Sequence, residues 1–313
     1  MTSSEIGDLV ARCTAFSPGH ITGFFEKPKS KNKNTDPLFY GSKGAGFSFK
    51  KGVTTSVELY KSKHKWYQIY INKSLTNNAE VSEWVTQYYL ENFDITYYIK
   101  INHFIDIPIG YGLGTSGAAA LSLSYALNGV LGKKFLREQA AQIAHIAEID
   151  CNTGLGTVIS EFYGGLEIRT SFGAPGIGQV TKIELNNYKA IILCIGPLST
   201  KYMLSNSSNK ANILGRKMVE RLLLSIDVNS FLRMSHEFAD FLGLTKGLCA
   251  KPIEELNNLG IDCSIGMFGE TIFTLVPPNE ISLVSSVLKK FPGTLIVSDI
   301  DNRGALIENF DQS

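Results

Sequence analysis

The chain has 313 residues, enough for one large domain or two packed ones, and its 44% hydrophobic content with 18 Phe and 13 Tyr argues against disorder. Thirty basic residues against 29 acidic ones leave a net charge of +1, so no global field favours nucleic acid or an anionic membrane. Five cysteines without a CxxC pair make neither a disulfide framework nor a zinc ribbon, and no apolar run approaches the roughly 20 residues of a membrane span. A reduced, cytoplasmic setting is the expectation.

In chain order, residues 13–16 read as a brief strand running into the loop Ser17-Pro18-Gly19-His20. Two lysine-rich stretches, KPKSKNKN from Lys27 and KSKHK from Lys61, read as solvated loops. Val53, Val57 and Leu59 alternate with polar neighbours, as do Ile95, Tyr97, Ile99 and Ile101, which is the period of a half-buried strand. Val81, Trp84, Val85, Tyr88 and Tyr89 keep the spacing of an amphipathic helix. Residues 115–131 are apolar and rich in small side chains, which predicts a buried helix, and 137–149 continue in helical period. A glycine turn at 154–156 leads to another helical stretch, and Gly164-Gly165 opens a strand, LEIRT.

FGAPGIGQ (172–179) has the composition of a linker. Beyond it the pattern predicts a strand at 189–195, helices at 209–224 and 229–242, and strand-loop-strand over 262–276. A helix at 280–290 and a strand at 294–298 complete the order, which reads as a smaller α+β sandwich. The expected division is therefore 1–180 and 181–313.

The most informative stretch is Pro108-Ile109-Gly110-Tyr111-Gly112-Leu113-Gly114-Thr115-Ser116-Gly117. A strand precedes it and a small-residue helix follows. Glycines let backbone amides approach a ligand closely, and the new helix aims its unpaired N–H groups at the same point, as a phosphate site requires. Thr115 and Ser116 add hydroxyls for phosphate or magnesium. A tight strand-helix corner would use glycines too, but does not call for the hydroxyls. The loop is no Walker A, because no Lys precedes the Thr-Ser pair. Gly112, Gly114 and Gly117 also match the dinucleotide fingerprint, with Glu138 about 20 residues on, which keeps an oxidoreductase in view. That fingerprint, however, wants its acid at the end of a second strand, and 118–131 reads as helix.

The pattern P-x-x-x-G-L-G-[ST]-S resembles the second motif of the GHMP kinases, whose loop wraps the triphosphate of ATP. AFSPGHITGFF (15–25), GSKGAG (41–46) and AHIAEIDCNTGLGTV (144–158) are similar to the archaeal pantoate kinase branch, which acts in coenzyme A biosynthesis and includes enzymes described as pantothenate kinases. A third family motif would fall at SIGMFGE (264–270). The resemblance implies an α+β fold with a ribosomal S5 domain 2-like ATP-binding domain over 1–180 and a ferredoxin-like domain over 181–313. It implies transfer of the ATP γ-phosphate to the primary hydroxyl shared by pantothenate and pantoate, with magnesium. The expected partners are small molecules, with no nucleic acid and no membrane; a homodimer is the common default.

By the same resemblance, Ser116 and Glu148 would hold the metal, and His145, three residues before Glu148 and so on the same helix face, would belong to the substrate site. Arg169 has the planar fork suited to a carboxylate, although both acids carry one. Ser17, His20, Thr22 and Ser42 lie in the segments that match the branch's acceptor loops. One position departs. Relatives read GLGD where this chain reads Gly154-Leu155-Gly156-Thr157, and that aspartate is their proposed base. Threonine cannot take a proton at neutral pH. Positioning alone could suffice for a loose transition state; Asp150 or Glu161 could reach in; or the chain could be a silent binder. The departure tilts the expected acceptor slightly toward pantothenate.

Overall fold

A computed structural model describes residues 6–28, 36–93, 96–198 and 209–312. Two long strands organise it. β1 (Ile6–Glu26) and β2 (Lys43–Ser62) pair antiparallel over almost their whole length. The short strand and loop expected at 13–20 are thus one continuous strand. Its ladder slips between Pro18 and Gly19, where β2 steps from Gly52 to Phe49 and Lys50 and Lys51 bulge out. Proline gives no N–H to a ladder, and a bulge is where a strand can hold one.

The hairpin has β5 (Tyr97–Ile105), β3 (Trp66–Ile71) and β4 (Ser74–Thr76) on one side and β12 (Leu306–Gln312) on the other, while β6 (Leu166–Arg169) and β7 (Val180–Ile183) extend from the start of β2, at Gly44–Phe47. β3 and β5 run parallel and the other pairs antiparallel. On this sheet lie α1 (Glu80–Asn92), α2 (Thr115–Val130), α3 (Arg137–Cys151) and α4 (Thr157–Tyr163). Ala11, Cys13, Val57, Leu59 and Ile101 bury against Leu121, Leu123, Ala126 and Ala144.

The second sheet is antiparallel, in the order β11 (Thr294–Asp299), β8 (Lys189–Pro197), β10 (Gly269–Val276), β9 (Ser264–Ile265). With it come α5 (Asn209–Leu224), α6 (Val228–Phe241), α7 (Ala250–Asn258) and α8 (Ile281–Leu288). The far half of the β1–β2 hairpin enters this core: Phe24 and Phe47 meet Phe231, Phe238 and Phe273 at ring-centroid distances of 5.4–6.5 Å. One hairpin therefore spans both cores and fixes them about its middle, where Pro18 and Gly19 lie.

Several expectations need adjustment. FGAPGIGQ is no free linker: Ala174 is fully buried, its N–H donates to the Leu38 carbonyl, and the Pro175 carbonyl accepts from Gln142 Nε2 at 2.9 Å. β12 was not legible, because LIENFDQ is the polar sequence of an edge strand. α7 was also missed. Residues 29–34 of the first lysine stretch, and Ile95, lie outside the described residues. The division of the chain near residue 180 is kept as a proposal, with β12 crossing back to the first sheet.

Candidate active site

α2 begins at Thr115 on Gly114, and no side chain caps its start. Its first amides therefore face a cavity of about 360 Å³ between the two cores. Gly110, Gly112, Leu113, Gly114, Thr115 and Ser116 line one wall. The turn needs glycine most clearly at Gly112 and Gly114, with φ of +73° and +76°. An uncapped helix start and a glycine turn at one cavity suit a polyphosphate, with backbone donors and a helix dipole at its edge.

The loop is clamped from the second core. A β-carbon on Gly112 would lie 2.5 Å from the Met267 carbonyl oxygen and 2.9 Å from Phe268 C, while one on Gly269 would strike the Tyr111 carbonyl. Thr271 Oγ1 donates to that carbonyl at 2.8 Å, and Met267 N donates to Thr22 O at 3.0 Å. The stretch 264–270 thus seats the phosphate loop by close backbone approach. Gly112→Ala is expected to cost about 1–3 kcal/mol of backbone strain and to raise KM for ATP at least several-fold. Melting and ATP titration check it; unchanged ATP affinity would detach this contact from the loop's role.

Opposite the loop stands the turn 153–157. Glu148 is 2% exposed; Thr153 Oγ1 donates to its Oε1 at 2.5 Å, and its Oε2 has no hydrogen-bond partner among the described residues. Burial pushes its carboxyl above the ordinary range, with the Thr153 and Ser116 hydroxyls pulling the other way. Glu148 Oε2 and Thr157 Oγ1 both border the place where a β-carbon on Gly154 would be. No group of three or more His, Cys, Asp or Glu among the described residues could hold a metal alone. One buried carboxylate, a nearby hydroxyl and a substrate polyphosphate fit magnesium, which keeps waters and takes few protein ligands.

Beside this turn, His20, Thr22, Ser42 and Thr157 line the cavity. Arg169 lies behind this wall and is 1% exposed. Its Nη1 donates to Ser160 Oγ at 2.5 Å and pairs with Glu167, and His20 Nε2 meets the same Glu167 Oε1 at 3.0 Å. Its Nε has no partner among the described residues; it lies 2.9 Å from the β-carbon position of Gly156, next to Ser42 Oγ. A free guanidinium N–H is thus held just beneath Ser42 and Gly156, both of which border the cavity.

The fold brings ten of the sequence candidates to the cavity surface: the six loop residues, His20, Thr22, Ser42 and Thr157. Glu148 and Arg169 stand directly behind. Pro108 and Gly117 flank the loop without lining it, and Ser17 is fully buried below it. His145 is also off the cavity. It is 1% exposed and meets the Tyr40 carbonyl at 2.8 Å, where it supports the backbone leading to Ser42. Asp150 is exposed and borders a separate groove with Glu80 and Trp84. Phe25, Leu198 and Phe268 also line the cavity. They were missed because a lone apolar residue carries no chemical signature in sequence. Glu138 starts α3, exposed and with no strand before it, which removes the dinucleotide reading.

Fold and cavity together have the form of a phosphotransferase for small molecules. The model of the GHMP kinases N terminal domain matches residues 81–165. A pantoate kinase of Methanocaldococcus jannaschii is 35% identical over 88% of this chain and 96% of its own, and one from Thermococcus kodakarensis is 32% identical over 88% and 91%. A solved phosphotransferase related to the coenzyme A biosynthesis pathway superposes with a TM-score of 0.85 at 27% identity, covering 95% of this chain and 98% of its own. The chain belongs to the GHMP kinase family. It is a phosphotransferase with a hydroxyl group as acceptor, in an α+β fold with no helix among the described residues long and apolar enough to cross a membrane.

Proposed function

We propose that the protein transfers the ATP γ-phosphoryl group to the primary hydroxyl of pantoate, as a cytoplasmic step toward coenzyme A. The observation that carries this is the convergence of the phosphate loop, the 153–157 turn and the Ser42–Arg169 wall on one cavity. The preference for pantothenate drawn from Thr157 is reversed, since the relatives at 35% and 32% identity are pantoate kinases.

In this reading the α2 amides and Ser116 hold the triphosphate. Glu148 and Ser116 would hold magnesium, which supplies charge neutralisation at the phosphates when bound. Ser42 and His20, with the charge of Arg169 directly behind them, hold the acceptor's carboxylate and aim its hydroxyl at the γ-phosphorus. The hydroxyl oxygen bonds to phosphorus, the bond to the β–γ bridging oxygen breaks and ADP leaves, and the hydroxyl proton passes through an oxygen of the transferred phosphoryl group to water. A loose transition state asks little of a base, so positioning carries the step at Thr157. The test is magnesium-dependent ADP release with each acid supplied separately. Release with pantoate and little with pantothenate is expected; the opposite preference, or none with either, would overturn the assignment.

A further inference from the structure

α4 sends two side chains against the start of α2. Thr157 and Glu161 stand four residues apart and so share one helix face. A β-carbon on Gly114 would lie 2.5 Å from Glu161 Oε1 and 3.0 Å from the Thr157 methyl. One on Gly117 would lie 3.0 Å from Oε2 and 2.9 Å from the same methyl. The two side chains thus fill a single slot under the phosphate loop, while Thr157 Oγ1 turns to Gly154, beside Glu148.

Glu161 is 0% exposed, and neither of its oxygens has a well-formed hydrogen bond among the described residues. The buried hydroxyl of Ser17, equally without a well-formed bond, faces it. Leaving a buried carboxyl group without partners is costly. Burial and the neighbouring Glu148 push its carboxyl well above the ordinary range. A hydrophobic side chain would fill the slot at less cost, so packing alone does not account for the acid.

We propose that Glu161 places a carboxyl group one helical turn beyond Thr157, and acts as a positioning residue through Thr157 and the first turn of α2. It sets the spacing between α4 and the phosphate loop and holds the Thr157 hydroxyl on the cavity side. A carboxylate at 157 would meet the one at 161 in the same slot, so the chain carries the acid at one of the two positions. The inference rests on the kinase reading of the cavity.

The experiment is a cycle of Glu161→Gln, Thr157→Asp and the double variant, read by melting temperature and by steady-state kinetics. A shared slot requires coupling: Thr157→Asp lowers the melting temperature in the parent and much less when Glu161→Gln is already in place. Folding of the double variant where Thr157→Asp fails to fold is the strongest form of that result. Glu161→Gln is expected to lower kcat about tenfold or more with both KM values within about twofold. The double variant, with the acid moved to 157, recovers at least half of the loss. A residue that merely fills space would shift melting and leave kcat alone. Additive melting shifts, a parental kcat in Glu161→Gln, or a double variant no faster than Glu161→Gln each overturn the proposal. If the parent turns over neither acid, the acceptor assignment fails separately, and the melting cycle still decides the shared slot.

Discussion

Glu148→Gln is expected to lower kcat on the order of 100- to 1000-fold, the range for removing one preorganised charge-stabilising group, while raising the melting temperature of the metal-free protein at neutral pH. Both effects come from one arrangement. The carboxylate is held dry behind Ser116 and Gly154 with Oε2 unpartnered among the described residues. Charge there is useful to a metal-bound polyphosphate and unfavourable without it. The sign follows from proton linkage. Burial raises the folded-state pKa of Glu148 above its ordinary 4.5, so the folded state keeps a proton that the unfolded state releases. Stability from this group therefore falls as pH rises from about 4.5 through the raised value. Glutamine does not titrate, so the variant should show a flatter profile between about pH 5 and 8 in chelator. Added magnesium should raise the parent's melting temperature and leave the variant's unchanged. A variant that melts below the parent at about pH 8 in chelator would show that the carboxylate is internally paired.

Arg169→Ala is expected to destabilise the fold by about 3–5 kcal/mol, because it removes one partner of a buried ion pair and strands the other. The stranded group is Glu167, 0% exposed, with His20 and Ser160 left as its neighbours. The same substitution removes the unpartnered Nε beneath Ser42, so KM for the acceptor acid should rise at least tenfold while KM for ATP stays within about twofold. Arg169→Lys keeps the charge and loses the fork; it should recover much of the stability and little of the acceptor affinity. A fall in melting temperature with an unchanged acceptor KM would make Arg169 a structural residue only.

The glycine loop and the helix start that follows it were legible because the pattern is local. Glycines, two hydroxyls and the start of a small-residue helix lie in consecutive positions from Pro108 to Gly117, and a phosphate site needs them consecutive. Most helices and most strands were legible for the same reason, since burial on one face imposes a period of 3.6 or 2 on neighbouring residues. Glu167 and Arg169 sit two residues apart on β6 and share one face of it, but the burial of that face was not legible, because it depends on His20 of β1 and Ser160 of α4 closing over the pair. Nor did the spacing from 172 to 179 show that its glycines were there for close packing rather than freedom.

What the sequence by itself determined is the family and the class of reaction, through a glycine loop with two hydroxyls and a pattern that runs through residues 15–25, 41–46 and 144–158. What only the tertiary structure decided is how distant segments share space. The 267–269 backbone presses on Gly112, the Arg169 Nε–H rests beneath Ser42, and Thr157 and Glu161 occupy one slot against Gly114 and Gly117. The physical reason is excluded volume. A motif records the atoms a ligand touches, whereas the fit of one side chain against another is set by how the two cores close on a single hairpin.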